Sequence, residues 1–264
     1  MPSFRLTLEY DGTRYRGWQE QRNTERTVVG VLRHAIEKAG VEIVALQGAG
    51  RTDAGVHALA QVAHLRASRF LDPDRLLNQV NAALPHDVNL LEVRRAAERF
   101  HARHDALARS YLYQVARRRT AFAKRFVWWV RDPLDVAAIA TAARVLVGRH
   151  DFRWFCERPA EQDSTLVEVA AVQVAVIGDL LLVRVVASHF LWRMVRRIVG
   201  ALVEVGAGRL SEGDLLRLLD PRRPPSPSQS PARFTAPPSG LFLERVLYPG
   251  ERPLEDLRAA TPIT

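Results

Sequence analysis

Two apolar runs, residues 41–46 and 59–65, bracket the segment Gln47-Gly48-Ala49-Gly50-Arg51-Thr52-Asp53-Ala54-Gly55-Val56-His57-Ala58. Strand-forming runs on both sides of a glycine-rich stretch make it a loop that leaves one strand and enters the next. Its glycines suit a backbone that turns sharply or lets a ligand come close. Between them stand a cation, a hydroxyl and a carboxylate: Arg51, Thr52 and Asp53. A plain connection needs a turn residue or two, not this set. Two roles are open to Asp53: a reactive carboxylate kept ionised by a nearby cation, or an Asx-type bond to its own turn. Arg51 and the cluster Arg193, Arg196 and Arg197 are candidates for the cation.

The rest of the chain supplies the frame. Phe4, Leu6 and Leu8 alternate with Arg5, Thr7 and Glu9, the period of a half-buried strand. Thr27 caps a helix with Val28, Val31, Leu32, Ala35 and Ile36 on one face, ended by Gly40. Asp72-Pro73 opens a second helix, stopped by Pro85, and residues 88–93 read as a strand. Tyr111, Tyr113 and Val115 alternate as another strand, and Asp132-Pro133 is expected to open a helix running to Gly148. Residues 167–176 and 180–186 form a hairpin about Gly178. A helix follows with Leu191, Met194, Val195, Ile198, Val199 and Leu202 on one face, and a short one over 212–219. Residues 221–238 hold seven prolines and no regular element. Residues 240–246 return as a last strand. Irregular alternation with hairpins predicts an α+β fold with a mainly antiparallel sheet.

Charge points to a partner. Lys plus Arg number 38 against 29 acids, a net +9, and arginine supplies nearly all the cations. Residues 94–131 hold eleven cations against Glu98 and Asp105, interleaved with Phe100, Tyr111, Tyr113, Phe122, Phe126, Trp128 and Trp129. Cations for phosphates and rings for bases are what a nucleic-acid surface combines. A single Cys156 excludes an internal disulfide and fits a reducing compartment. No run has the length of a membrane span and the N-terminus reads as strand, so a cytoplasmic location is expected. The histidines and Cys156 offer no metal spacing, and no phosphate-loop or nucleophile-elbow motif is present.

Several blocks together resemble one family. Gly50-Arg51-Thr52-Asp53-Ala54-Gly55-Val56-His57-Ala58 is similar to the signature of the tRNA pseudouridine synthase A family. Tyr10-Asp11-Gly12-Thr13 with Gly17-Trp18-Gln19-Glu20-Gln21 resembles its N-terminal motif. Phe100-His101-Ala102-Arg103 through Arg109-Ser110-Tyr111-Leu112-Tyr113 resembles its middle motif. His150-Asp151-Phe152, the run 190–200 and Thr235-Ala236-Pro237 with Gly240-Leu241 resemble its second half.

The resemblance implies isomerisation of uridine to pseudouridine at positions 38, 39 and 40 of the tRNA anticodon stem-loop. It implies a homodimer without metal or organic cofactor. It also implies two ferredoxin-like halves, 1–105 and 106–264, forming a mainly antiparallel central sheet with helices on one side and an active-site cleft between the halves. Asp53 matches the catalytic aspartate and Tyr111 the tyrosine that stacks on the target base. Arg51 matches the arginine that holds the flipped-out nucleotide's place, and Arg196 the cation paired with the aspartate. Trp18, Gln19, His57, Arg103 and Arg109 fall in the motifs and are expected to contact substrate. Trp192 and Arg193 depart from the pattern. Two rivals are an N-glycoside hydrolase using Asp53, for which no second carboxylate motif accompanies the first, and an RNA-binding protein without catalysis.

Overall fold

The computed structural model describes residues 1–22 and 24–263. In chain order its strands are β1 (Ser3–Tyr10), β2 (Ile43–Gly48), β3 (His57–Ala67), β4 (Val88–Ala96), β5 (Ala108–Ala116), β6 (Trp128–Trp129), β7 (Gly148–Asp151), β8 (Leu166–Ile177), β9 (Leu180–Ala187) and β10 (Leu241–Leu247). The α-helices are α1 (Val28–Lys38), α2 (Pro73–Ala83), α3 (Val136–Arg144), α4 (Met194–Gly206) and α5 (Glu212–Arg217). The fold is α+β and mainly antiparallel, as the alternation predicts. It divides into two compact units: Met1–Leu107 with Phe242–Glu251, and Ala108–Leu241 with Arg252–Thr264.

The first unit runs β1-α1-β2-β3-α2-β4, and its strands lie in the order β4-β1-β3, with β2 also on β3. That is the ferredoxin-like arrangement. β1 is antiparallel to β3 and β4, β2 is antiparallel to β3, and β10 joins β3 in parallel at Phe242↔His57. Phe4, Leu6 and Leu8 are fully buried, as their alternation requires, while Arg5, Thr7 and Glu9 between them are half-buried. Each large apolar side chain removed from water contributes about 2 kcal/mol, so this face of β1 holds the unit together. Thr27 caps α1 through Gly30 N–H, and Asp72 caps α2 through Arg75 N–H with Pro73 in the first turn.

The second unit pairs its strands in the order β5-β9-β8-β7, all antiparallel, with β6 parallel to β5. One expectation fails here. The helix after Asp132-Pro133 begins only at Val136, capped by Asp135 through Ala138 N–H at 3.0 Å. Asp132 instead accepts from Arg209 at 2.7 Å, an ion pair with a residue just past α4. The helix also ends at Arg144, and Gly148, with a φ of +107°, opens the unexpected strand β7. Residues 221–237 carry neither α-helix nor strand. Arg184, almost wholly buried, donates to Gln173 Oε1 and to the carbonyls of Leu254 and Asp256, tying down the segment beyond residue 252.

Candidate active site

The Arg51-Thr52-Asp53 tripeptide is slung between the end of β2 and the start of β3, and residues of the first unit hold it in place. Thr52 O accepts from Trp18 N–H at 3.0 Å, and Thr52 Oγ1 shares a buried hydrogen bond of 2.8 Å with the Tyr10 hydroxyl. Gln61 Nε2 donates to Gly50 O at 3.0 Å, and Gly55 N–H donates to Tyr15 O at 3.3 Å. The chain then turns back through Val56 N–H to Asp53 O at 3.1 Å, with Gly55 at φ +79°, the conformation a tight turn asks of its third residue. Thr52 is buried, Arg51 and Ala54 are exposed, and Asp53 stands half-exposed between them. A buried neighbour fixed on both backbone and hydroxyl sets where the Asp53 carboxylate can reach.

The support beneath the loop is the segment read as an N-terminal motif. A Cβ on Gly48 would meet the Trp18 ring at 2.6 Å, and one on Gly17 would meet Thr52 O at 2.7 Å. Gly17 also has a φ of +99°, so no other residue serves there without strain. Trp18 is therefore a buried floor under the loop, only 2% exposed, and offers no open face for stacking. His57 is buried as well, stacked on Phe242 with ring centres 4.8 Å apart. Its Nδ1 lies 3.1 Å from Gly12 N and 3.1 Å from Asp11 Oδ1. Burial pushes the Asp11 carboxyl up, but bonds from His57 and Thr13 outweigh it and hold Asp11 well below the carboxylate range. Tyr15 donates to Asp87 Oδ1 at 2.5 Å; burial, then that bond, raises its phenol.

In the second unit, Tyr111 lies on β5 with its ring edge-on to Phe190, centres 5.0 Å apart. Arg109, two residues earlier and so on the same face of the strand, donates to Ser188 O at 2.7 Å. α4 separates two arginines that the helical spacing alone left open. Arg197 is buried; its guanidinium donates to Cys156 O and pairs with Glu157, which fixes it as structural. Arg196 is half-buried, with Nε donating to Ala236 O at 2.7 Å while Ala236 N–H donates to Arg196 O at 3.0 Å. Gly200 makes that clasp possible, because a Cβ there would sit 1.7 Å from Phe234 O. Two distant sequence blocks thus close on each other around Arg196. Arg193, at φ +61°, packs on Trp192 with its guanidinium 5.6 Å from the ring centre.

The expected residues are thus distributed in a definite way. Asp53, Arg51, Trp18 and His57 gather at the end of the first unit's strands where Tyr10 pairs with Ala58. Gln19 is exposed next to Trp18. The segment of Arg103 packs at His64, where Ala102 N–H donates to Nδ1 at 3.2 Å. Tyr111, Arg109 and Arg196 belong to the second unit. Tyr10, which holds the loop, stands in the sequence only as the first residue of the N-terminal motif, and Gln61 went unnoticed; a polar Gln61 inside the otherwise largely apolar run 59–65 was the available signal. Among the described residues no three His, Cys, Asp or Glu side chains gather as metal ligands, and no helix is long and apolar enough to cross a membrane.

A family model described as tRNA pseudouridine synthase matches residues 7–105 and 142–249. The tRNA pseudouridine synthase A of Nitrobacter winogradskyi is 41% identical over 261 residues, covering 98% of this chain and 100% of the relative. That of Maricaulis maris is 40% identical over 253 residues, covering 95% and 99%.

Proposed function

This chain belongs to the tRNA pseudouridine synthase family, and from that premise we propose that it isomerises uridine at positions 38, 39 and 40 of the tRNA anticodon stem-loop, with Asp53 as the catalytic residue. The observation that carries the reading is the suspension of Arg51-Thr52-Asp53 by Tyr10, Trp18 and Gln61, which fixes one half-exposed carboxylate beside one exposed guanidinium. In the reaction the bond from uracil N1 to the sugar breaks, the base turns, and C5 bonds to the sugar in its place. N1 gains a proton, C5 releases one, and no electrons are exchanged with a donor. Asp53 initiates the cleavage as an ionised carboxylate.

Arg51 takes the place the target nucleotide leaves when it flips from the stem. Tyr111 stacks on the flipped base, Arg196 serves as a catalytic cation, and Gln19, Arg103 and Arg109 bind the RNA. Trp18 and His57, both buried, act as positioning residues for the catalytic loop rather than as contacts. The working form is a cytoplasmic homodimer. Mapping pseudouridine by carbodiimide adducts on an unmodified tRNA transcript tests the site assignment. Reverse-transcription stops are expected at positions 38–40; stops confined to another arm of the tRNA would refute it.

A further inference from the structure

We propose that a pocket lying wholly in the first unit, built on Arg5, Arg94, Arg95 and Arg99, binds a backbone phosphate of the tRNA well away from the nucleotide being isomerised; this rests on the reading of the chain as a tRNA-modifying enzyme. The cavity encloses about 430 Å³ and is walled by those four arginines with Phe100 and Asp105. Its origin is a cross-strand oddity. Arg5 on β1 stands opposite Arg94 on β4 and opposite His64 on β3. Like charges directly across a ladder destabilise a sheet, so Arg5 facing Arg94 calls for anions.

Some are present. Arg5 pairs with Glu251 at 2.6 Å and lies over the Tyr248 ring at 4.4 Å, and Arg94 pairs with Glu92 at 2.6 Å. Asp105 is committed to His101 N–H at 2.9 Å. Arg95 and Arg99 are exposed and form no ion pair with any described residue. Arg95 and Arg99 line the same cavity as Arg5, and an arginine fork grips the oxygens of a phosphate in bidentate fashion.

Position identifies the ligand as part of a long anion rather than a free one. Arg5 precedes Tyr10 by five residues on β1, about 17 Å of strand, and the Tyr10 hydroxyl touches the Asp53 loop. A nucleotide engaged at Asp53 therefore leaves the pocket to a phosphate several residues distant along, or across, the same RNA. The pocket lengthens the footprint on tRNA without touching the reacting base.

The test is binding of a full-length, unmodified tRNA to wild type and to the double variant Arg95→Ala/Arg99→Ala, by fluorescence anisotropy over a range of KCl. At low salt the double variant is expected to bind about tenfold more weakly, and the slope of log Kd against log salt is expected to fall by about 1 to 2. Arg99→Glu, which adds repulsion, should weaken binding further. Both side chains are exposed, so melting temperatures should match. Unchanged affinity and slope in the double variant would overturn the pocket while leaving the enzyme reading intact. A uniform loss with an unchanged slope would assign the arginines to structure and overturn it too. If inorganic phosphate protects wild type but not the variant from unfolding while tRNA binding is identical, the site takes free phosphate and the tRNA assignment falls. If wild type binds no tRNA, the functional reading itself fails.

Discussion

The Tyr10 hydroxyl lies 2.8 Å from Oγ1 of Thr52, buried, one residue before the carboxylate on which the proposed chemistry depends. A strand residue thereby locks the Asp53 loop from below. Burial pushes the Tyr10 phenol up to about 12, so it stays a neutral hydrogen-bonding group throughout the working pH range.

Tyr10→Phe removes that bond and the one Gln61 makes to the same oxygen while keeping the ring. The expected loss of stability is about 1 kcal/mol, read by denaturant unfolding. The expected fall in turnover is about tenfold at unchanged tRNA affinity, because a slack loop misplaces Asp53. A drop in affinity with normal turnover would show that the tyrosine serves binding instead.

Gly17→Ala strikes the same loop through the backbone. The residue's φ of +99° and the approach of its Cβ position to Thr52 O, 2.7 Å, both oppose a side chain. Destabilisation of about 2 kcal/mol or more is expected, with loss of activity. Gly50→Ala, where nothing lies within 4 Å of the added Cβ, should change stability by less than about 1 kcal/mol. Thermal unfolding of the two variants side by side checks the contrast.

Arg196 and Arg197 are neighbours with opposite expectations. Arg197→Met removes a buried guanidinium from Cys156 O and from Glu157, which keeps Arg193 at 3.6 Å, and should cost about 2 kcal/mol of stability. Arg196→Met removes a half-buried guanidinium and should leave folding nearly intact while slowing turnover. Melting curves and single-turnover rates separate the two; the reverse pattern would contradict the assignment.

Acid stability is expected to depend on His64. Burial, then the nearby charges of His101 and Arg66, hold its imidazole down at about 4. The unfolded chain therefore takes up a proton near the ordinary histidine value, while the folded chain resists until about 4. Stability is full above that ordinary value and falls as pH drops through the interval, by on the order of 3 kcal/mol in total. His64→Asn keeps an acceptor for Ala102 N–H but cannot titrate, and should flatten the stability profile between about pH 4 and 6.5.

Much of this was readable from the chain because the local signals agreed with the fold. Phe4, Leu6 and Leu8 announced β1, Asp72-Pro73 marked the start of α2, and glycines among charged side chains marked the loop at Asp53. Where reading failed, a distant partner had changed a residue's job. Asp132 looks like a helix cap but is drawn to Arg209, far along the sequence, so Asp135 caps instead. Trp18 sits in a polar, basic segment that suggests a surface, yet the absence of a Cβ at Gly48 opens a slot that buries its ring. The choice between Arg196 and Arg197 rests on Glu157 and Ala236, neither of which helical spacing reveals.

The central claim is that Asp53 drives carbon–nitrogen exchange on uridine. Its most direct measurement is tritium release from tRNA labelled at uracil C5, comparing wild type with Asp53→Ala. C5 must lose its hydrogen to become the glycosidic carbon. The account expects release at wild-type level from anticodon-arm uridines and none from Asp53→Ala, with tRNA still bound. Release that persists without Asp53, or free uracil in place of pseudouridine, would contradict it.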